Sequence, residues 1–83
     1  MIKIYTMDSC PYCNELKELL INESIEFIEV DILDEKNKVE VDMVFKTANC
    51  ESVPIAKVNN QLFAPDISFT SIEDAFKLIK RFM

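Results

Sequence analysis

Eighty-three residues, 49% of them apolar and 29% charged, suffice for one folded domain and exclude a disordered chain. Fifteen Asp and Glu against nine Lys and Arg leave a net charge of −6, which excludes the basic footprint that nucleic acid or an anionic membrane demands. No apolar run approaches the roughly 20 residues of a membrane span, and the opening MIKIYTMDSC lacks the apolar stretch of a secretory signal, so a cytoplasmic monomer is expected.

In chain order, Ile2, Ile4 and Tyr5 predict a first strand over about residues 2–6. Pro11 suits the first position of a helix, where its missing N–H costs nothing. Leu16, Leu19 and Leu20 then recur at helical spacing among Glu15, Lys17 and Glu18, so a helix should run from Pro11 to about Asn22. Phe27, Ile28, Val30 and Ile32 mark a second strand near 26–31. From Asp34 to about Ala48, Val39, Met43 and Val44 stand among charges and predict a second helix, whose propensity Val39 and Val41 lower. Ile55, Ala56 and Val58 form a third strand just after Pro54, and Asn59-Asn60 turns the chain back into Gln61–Phe63 as a hairpin. Thr70 with Glu73 and Ser71 with Asp74 offer capping pairs before Ile72, Phe76 and Ile79, a third helix ending near Arg81.

The order βαβαββα implies an α/β fold. Its β–α–β opening wants parallel strands with a right-handed crossover, and the hairpin adds an antiparallel pair. A four-stranded mixed sheet flanked by three helices is expected, as one domain over residues 1–83 with no linker or repeat.

Three cysteines, two of them three apart as Cys10-Pro11-Tyr12-Cys13, do not make a secreted disulfide scaffold, which carries an even and denser set. The chain has no histidine, and with it lacks the commonest metal ligand and general base. A zinc site needs about four N or S ligands, so no metal is expected. Redox chemistry fits better. A strand–turn–helix context puts Cys10 at a helix N-cap, where unsatisfied N–H groups and the positive dipole end favour a thiolate. Cysteines so placed have pKa values lowered to about 3.5–7.5, against roughly 8.5 for a free cysteine. Cys13, one turn on, lies on the same face and can resolve a mixed disulfide formed at Cys10. The bland reading, two small core residues, leaves the proline between them unexplained.

With CPYC preceded by Ile4-Tyr5-Thr6 and followed downstream by Val53-Pro54, the chain resembles the glutaredoxins from end to end. The resemblance implies a thioredoxin-like fold and a dithiol oxidoreductase that reduces protein disulfides and glutathione mixed disulfides, with glutathione as electron donor. It implies a cis bond before Pro54 and a substrate that pairs with the backbone at Val53. It makes Tyr12, Val53, Pro54, Ile72 and Glu73 candidate substrate or glutathione contacts beside Cys10 and Cys13. Tyr12 either packs beside a bound disulfide or covers the helix start.

Departures from the family pattern are equally specific. Met7 stands where a lysine is common, and Thr70-Ser71 stands where the family's Gly-Gly opens the last helix. The chain contains no glycine, and neither Thr nor Ser permits the close backbone approach that glycine does. Two alternatives follow: a glutaredoxin-like donor, for example to ribonucleotide reductase, that draws electrons from thioredoxin reductase, and an iron–sulfur carrier. The carriers usually have CGFS, so CPYC speaks against the second. Lys46 reads as a surface lysine or as the positive charge that relatives place late in the second helix, and Cys50 reads as an inert thiol.

Overall fold

The computed structural model describes all residues, 1–83. Its architecture follows from the alternation along the first strand, β1 (Ile2–Thr6). Successive side chains of a strand point to opposite faces, so Ile2 and Ile4 enter one core while Tyr5 enters another. On the first face they meet Leu16 and Leu20 of α1 (Pro11–Asn22) and Ile72, Ala75 and Ile79 of α3 (Ile72–Phe82). On the second, Tyr5 packs with Val30 of β2 (Ile28–Asp31), with Val41 and Val44 of α2 (Lys38–Ala48) and with Ile55 of β3 (Ile55–Val58). A short hairpin strand, β4 (Gln61–Phe63), completes the sheet in the order β2-β1-β3-β4. β1 runs parallel to β2 and antiparallel to β3, and β3 is antiparallel to β4. The result is the expected mixed sheet, with α1 and α3 on one face and α2 on the other.

The first core holds eleven buried residues against six in the second, and the smaller one is reinforced by a polar pin. Burying one Ile or Leu completely contributes about 1.5–3 kcal/mol. Ile4, Leu16, Leu20 and Ile79 are all fully enclosed on the larger side. Across the smaller core, Glu40 of α2 accepts hydrogen bonds from Lys3 Nζ at 2.9 Å and from the Tyr5 phenol at 2.7 Å. Lys3 first, then Tyr5, holds the Glu40 carboxyl below its ordinary range, while burial and that same bond push the Tyr5 phenol upward. A second pin ties β1 to α1: Glu29 accepts from Lys17 Nζ and from Thr6 Oγ1, each at 2.7 Å. Lys17 and then Thr6 lower its carboxyl in turn.

Three local readings change. β2 begins at Ile28 rather than 26, and as an edge strand it leaves Ile28 half exposed. The segment from Asp34 is not one helix: Asp34 caps a 3₁₀ turn over Glu35–Asn37, and α2 starts only at Lys38. Its buried stripe is Val41 and Val44, whereas Val39 and Met43 are 75% and 64% exposed. Positions 41 and 44, with 45 and 48 beside them, form the i, i+3, i+4, i+7 row that faces the sheet. Of the two capping pairs, α3 uses the second, with Ser71 Oγ accepting from the Asp74 N–H at 3.1 Å. Lacking glycine, the chain places Ser9, Ser24, Asn49, Asn59 and Asp66 at its five positive φ angles. No helix is long and apolar enough to cross a membrane.

Candidate active site

Thr6 ends β1, and Ser9, at φ 66°, turns the chain so that Cys10 arrives in extended conformation at the N-cap of α1. There the Cys13 N–H donates to Cys10 Sγ at 3.1 Å. This is the capping bond that Ser or Asp oxygens make elsewhere, with sulfur as acceptor. The Cα atoms of Cys10 and Cys13 lie 5.2 Å apart with the two sulfurs in bonding contact, inside the roughly 4.4–6.8 Å over which a disulfide closes. Cys10 retains 7% exposure and Cys13 none. An incoming disulfide therefore meets Cys10 first.

The other half of the site comes from β3. Tyr5 pairs with Ile55 in the antiparallel register, and one step further along brings Pro54 beside Thr6. Val53-Pro54 thus enters at the sheet end where the Cys10 loop leaves, through a cis peptide bond, as the sequence resemblance implied. Tyr12, Val53 and Pro54 form one wall of a cleft of about 260 Å³, and Pro65, Asp66, Phe69 and Thr70-Ser71-Ile72 line the rest. Tyr12 is 64% exposed and stands at the rim rather than covering the helix start.

Of the residues expected from sequence, Tyr12, Val53, Pro54 and Ile72 gather in this cleft. Glu73 does not: one residue past Ile72 on α3, it is exposed and lines a groove with Leu19 and Phe76 instead. Lys46 is exposed on α2 and also stands outside the cleft. Cys50 is half-buried, with its Sγ accepting the Ser52 N–H at 3.4 Å and facing the Pro65 carbonyl at 3.9 Å. It sits behind the cleft and not in its lining.

Sequence reasoning missed Pro65, Asp66 and Phe69. Their loop is tied by its own backbone. The Ala64 carbonyl accepts from the N–H groups of Ile67 (3.3 Å) and Ser68 (2.9 Å), and the Asp66 N–H donates to the Phe69 carbonyl at 2.8 Å. Ser68 Oγ closes the turn by accepting from the Ala64 N–H at 3.1 Å. Pro65-Asp66 is the turn dipeptide that could have announced it.

The comparisons with known proteins agree with this geometry. The family model for glutaredoxin matches residues 2–63. A relative from Clostridium pasteurianum, described as an uncharacterized glutaredoxin-like 8.6 kDa protein in the rubredoxin operon, is 32% identical over 63 residues, covering 75% of this chain and 80% of that one. The crystal structures of the thioredoxin-like protein BC3987 and of a mutant of it superpose with TM-scores of 0.73 and 0.74 at 23% and 22% identity. They cover 94% and 95% of this chain and 99% of their own, and so share its fold. The family match contains Cys10, Cys13, Val53 and Pro54 and ends before the loop and helix that line the rest of the cleft. The chain belongs to the glutaredoxin family, with a thioredoxin-like fold and a cysteine pair that supports thiol–disulfide oxidoreductase chemistry.

Proposed function

We propose that the chain reduces protein disulfides and glutathione mixed disulfides in the cytoplasm, with Cys10 as attacking thiolate and Cys13 as resolving thiol. The observation that carries this reading is the N-cap bond from the Cys13 N–H to Cys10 Sγ, at the one residue of the pair that retains exposure. Donors at a helix start stabilise a sulfur anion and leave a neutral thiol nearly unaffected. Cys10 attacks one sulfur of the substrate disulfide and expels the other as a thiolate. Cys13 then gives up its proton and attacks Cys10 Sγ, expelling the second substrate sulfur. The substrate gains two electrons and two protons overall, and Cys10–Cys13 becomes a disulfide that external thiols reduce again. No imidazole is required, in keeping with a chain without histidine.

Glutathione fits this cleft in part. The backbone at Val53 and the wall at Tyr12 can receive its cysteinyl portion. Neither the α-carboxylate of its zwitterionic γ-glutamyl end nor its glycyl carboxylate finds a Lys or Arg among the lining residues. At the N-terminus of α3, Ser71 Oγ already holds the Asp74 N–H. This favours a second reading, in which a flavoenzyme of the thioredoxin reductase class supplies the electrons. Alkylation by iodoacetamide across pH, with peptide mapping, tests the assignment of roles: Cys10 should react first at low pH, and a Cys13-first result would sink it. An NADPH-coupled disulfide assay, with glutathione plus glutathione reductase in one arm and thioredoxin reductase in the other, separates the two electron sources.

A further inference from the structure

We infer that Asp66 sets the substrate preference of the cleft, selecting peptide disulfides whose cysteine is flanked by Lys or Arg. The inference rests on the Cys10 chemistry proposed above and names the substrate class of that site.

Among the residues that line the cleft, Asp66 alone carries a charge. It belongs to none of the chain's salt bridges, so its carboxylate is not neutralised from within. The groups around it do not supply the missing cation. Glu73 and Asp74 occupy the first turn of α3, and the chain as a whole bears −6. A substrate with a negative flank meets repulsion here, and one with a positive flank meets attraction.

Asp66 is also held in place. It sits at φ 62°, a left-handed conformation that Asp and Asn tolerate better than other side chains except glycine. Pro65 before it fixes one dihedral, and its own N–H is bound to the Phe69 carbonyl at 2.8 Å. A β-bridge between Pro65 and Phe69 clamps the two sides of the turn. The backbone that carries the carboxylate is therefore fixed at the cleft lining, which leaves only the short Asp66 side chain to order when a cation approaches.

The reaction is the one already written. The substrate disulfide takes two electrons from the Cys10–Cys13 dithiol, which an external dithiol or two monothiols restore. Asp66 touches no reacting atom. It acts on the approach and seating of the peptide, so its mark falls on kcat/KM ratios between substrates and on their salt dependence.

The test uses two mixed-disulfide peptides of equal length, with the cysteine flanked by Lys in one and by Glu in the other. Because the site is open to water, a single charge pair should favour the Lys peptide by only about threefold in kcat/KM at low salt. The preference should shrink as salt shortens the Debye length to about 3 Å at 1 M. Asp66→Asn, which keeps a side chain suited to the left-handed turn, should erase the preference, and Asp66→Lys should reverse it. An equal preference in wild type and Asp66→Asn, or none in wild type, overturns the inference. A neutral disulfide, hydroxyethyl disulfide, keeps this failure apart from that of the underlying reading. If wild type reduces it without discriminating between the peptides, Asp66 alone is refuted; if wild type reduces none of the three, the Cys10 chemistry falls and the inference with it.

Discussion

The two walls of the cleft are built on different terms. One, at Tyr12 and Val53-Pro54, follows Cys10 where β1 and β3 end side by side, inside the stretch that matches the glutaredoxin family. Its positions follow from backbone necessities: a helix start that must be capped and a strand register that must be kept. The other, from Pro65 to Ile72, is a loop and a helix entry beyond the matched stretch, held by local turns and by Ser71 capping its own helix. The reading proposed above puts the thiol–disulfide chemistry beside the first wall, within the stretch that matches the family, and substrate choice on the second, beyond it.

The largest effect should come from breaking the first wall. Cys10→Ser should drop all disulfide exchange to the uncatalysed rate in the NADPH-coupled assay. Cys13→Ser should keep turnover of glutathione mixed disulfides while abolishing protein-disulfide reduction, because only the resolving step is lost. Equal loss from both variants on both substrates would erase the distinction of roles.

The second wall can be rebuilt toward the family pattern. Replacing Thr70-Ser71 by Gly-Gly removes two Cβ atoms beside the cleft and frees the Asp74 N–H. One recovered charge-assisted hydrogen bond is worth roughly 1.5–3 kcal/mol, so the apparent affinity for glutathionylated peptide should rise about tenfold. The cap itself loses only a few tenths of a kcal/mol when Ser becomes Gly. Cys10 alkylation rates should not change. Unchanged affinity in a folded double variant would mean that the second wall does not limit glutathione.

Cys50 lines neither wall, meeting the second only at the Pro65 carbonyl, and should matter to neither. Cys50→Ser is expected to hold turnover within about threefold, less than ~0.7 kcal/mol at the barrier. A tenfold loss with an unchanged melting curve would bring this thiol into the reaction.

The smallest effect concerns the root of the first wall. Glu29 holds Thr6, the last residue before the Cys10 loop, and its folded pKa is lowered by Lys17 and then Thr6. A depressed carboxylate contributes stability above its unfolded pKa, roughly 4.3, and that contribution disappears as pH falls through the folded value. The Glu29 side chain is 44% exposed, so the effect belongs with surface pairs, at or below about 1 kcal/mol. Melting scans should show Glu29→Gln lowering Tm at pH 7 by no more than roughly 4–8 °C, and matching wild type once pH has fallen through the depressed Glu29 carboxyl. A constant offset at all pH values would assign the loss to packing.

What the sequence disclosed follows the same division. β1, α1, β3 and β4 were legible to the residue because each carries a local signal: alternation, Pro11 after Cys10, Pro54 before Ile55, and Asn59 at a left-handed turn. The α2 stripe was not, because Val39 and Met43 keep helical spacing with one another as well as Val41 and Val44 do. Only the docking of α2 on the sheet, pinned by Glu40, decides between the two sets. The second wall was half legible. Ser71 and Ile72 follow from the cap, but the side of the loop that faces Tyr12 depends on the tertiary placement of residues 64–69.

The five turns made without glycine bear on the unfolded chain as much as on the folded one. Glycine forfeits more backbone freedom on folding than any other residue, and a non-glycine residue in its place narrows the denatured ensemble by about 0.4–1 kcal/mol. Against this stands a left-handed penalty of roughly 1–2 kcal/mol at each such corner, which Asn and Asp reduce with their short polar side chains. Asn49, Asn59 and Asp66 take the milder form of that exchange, and Ser9 and Ser24 the harsher. Ser9 is the corner that delivers Cys10 to its helix. The denatured protein is therefore a comparatively stiff polymer, with less disorder to lose than its length implies. For a chain of this size, with a core split across two faces of one thin sheet, that stiffness offsets part of the left-handed penalty its five corners carry.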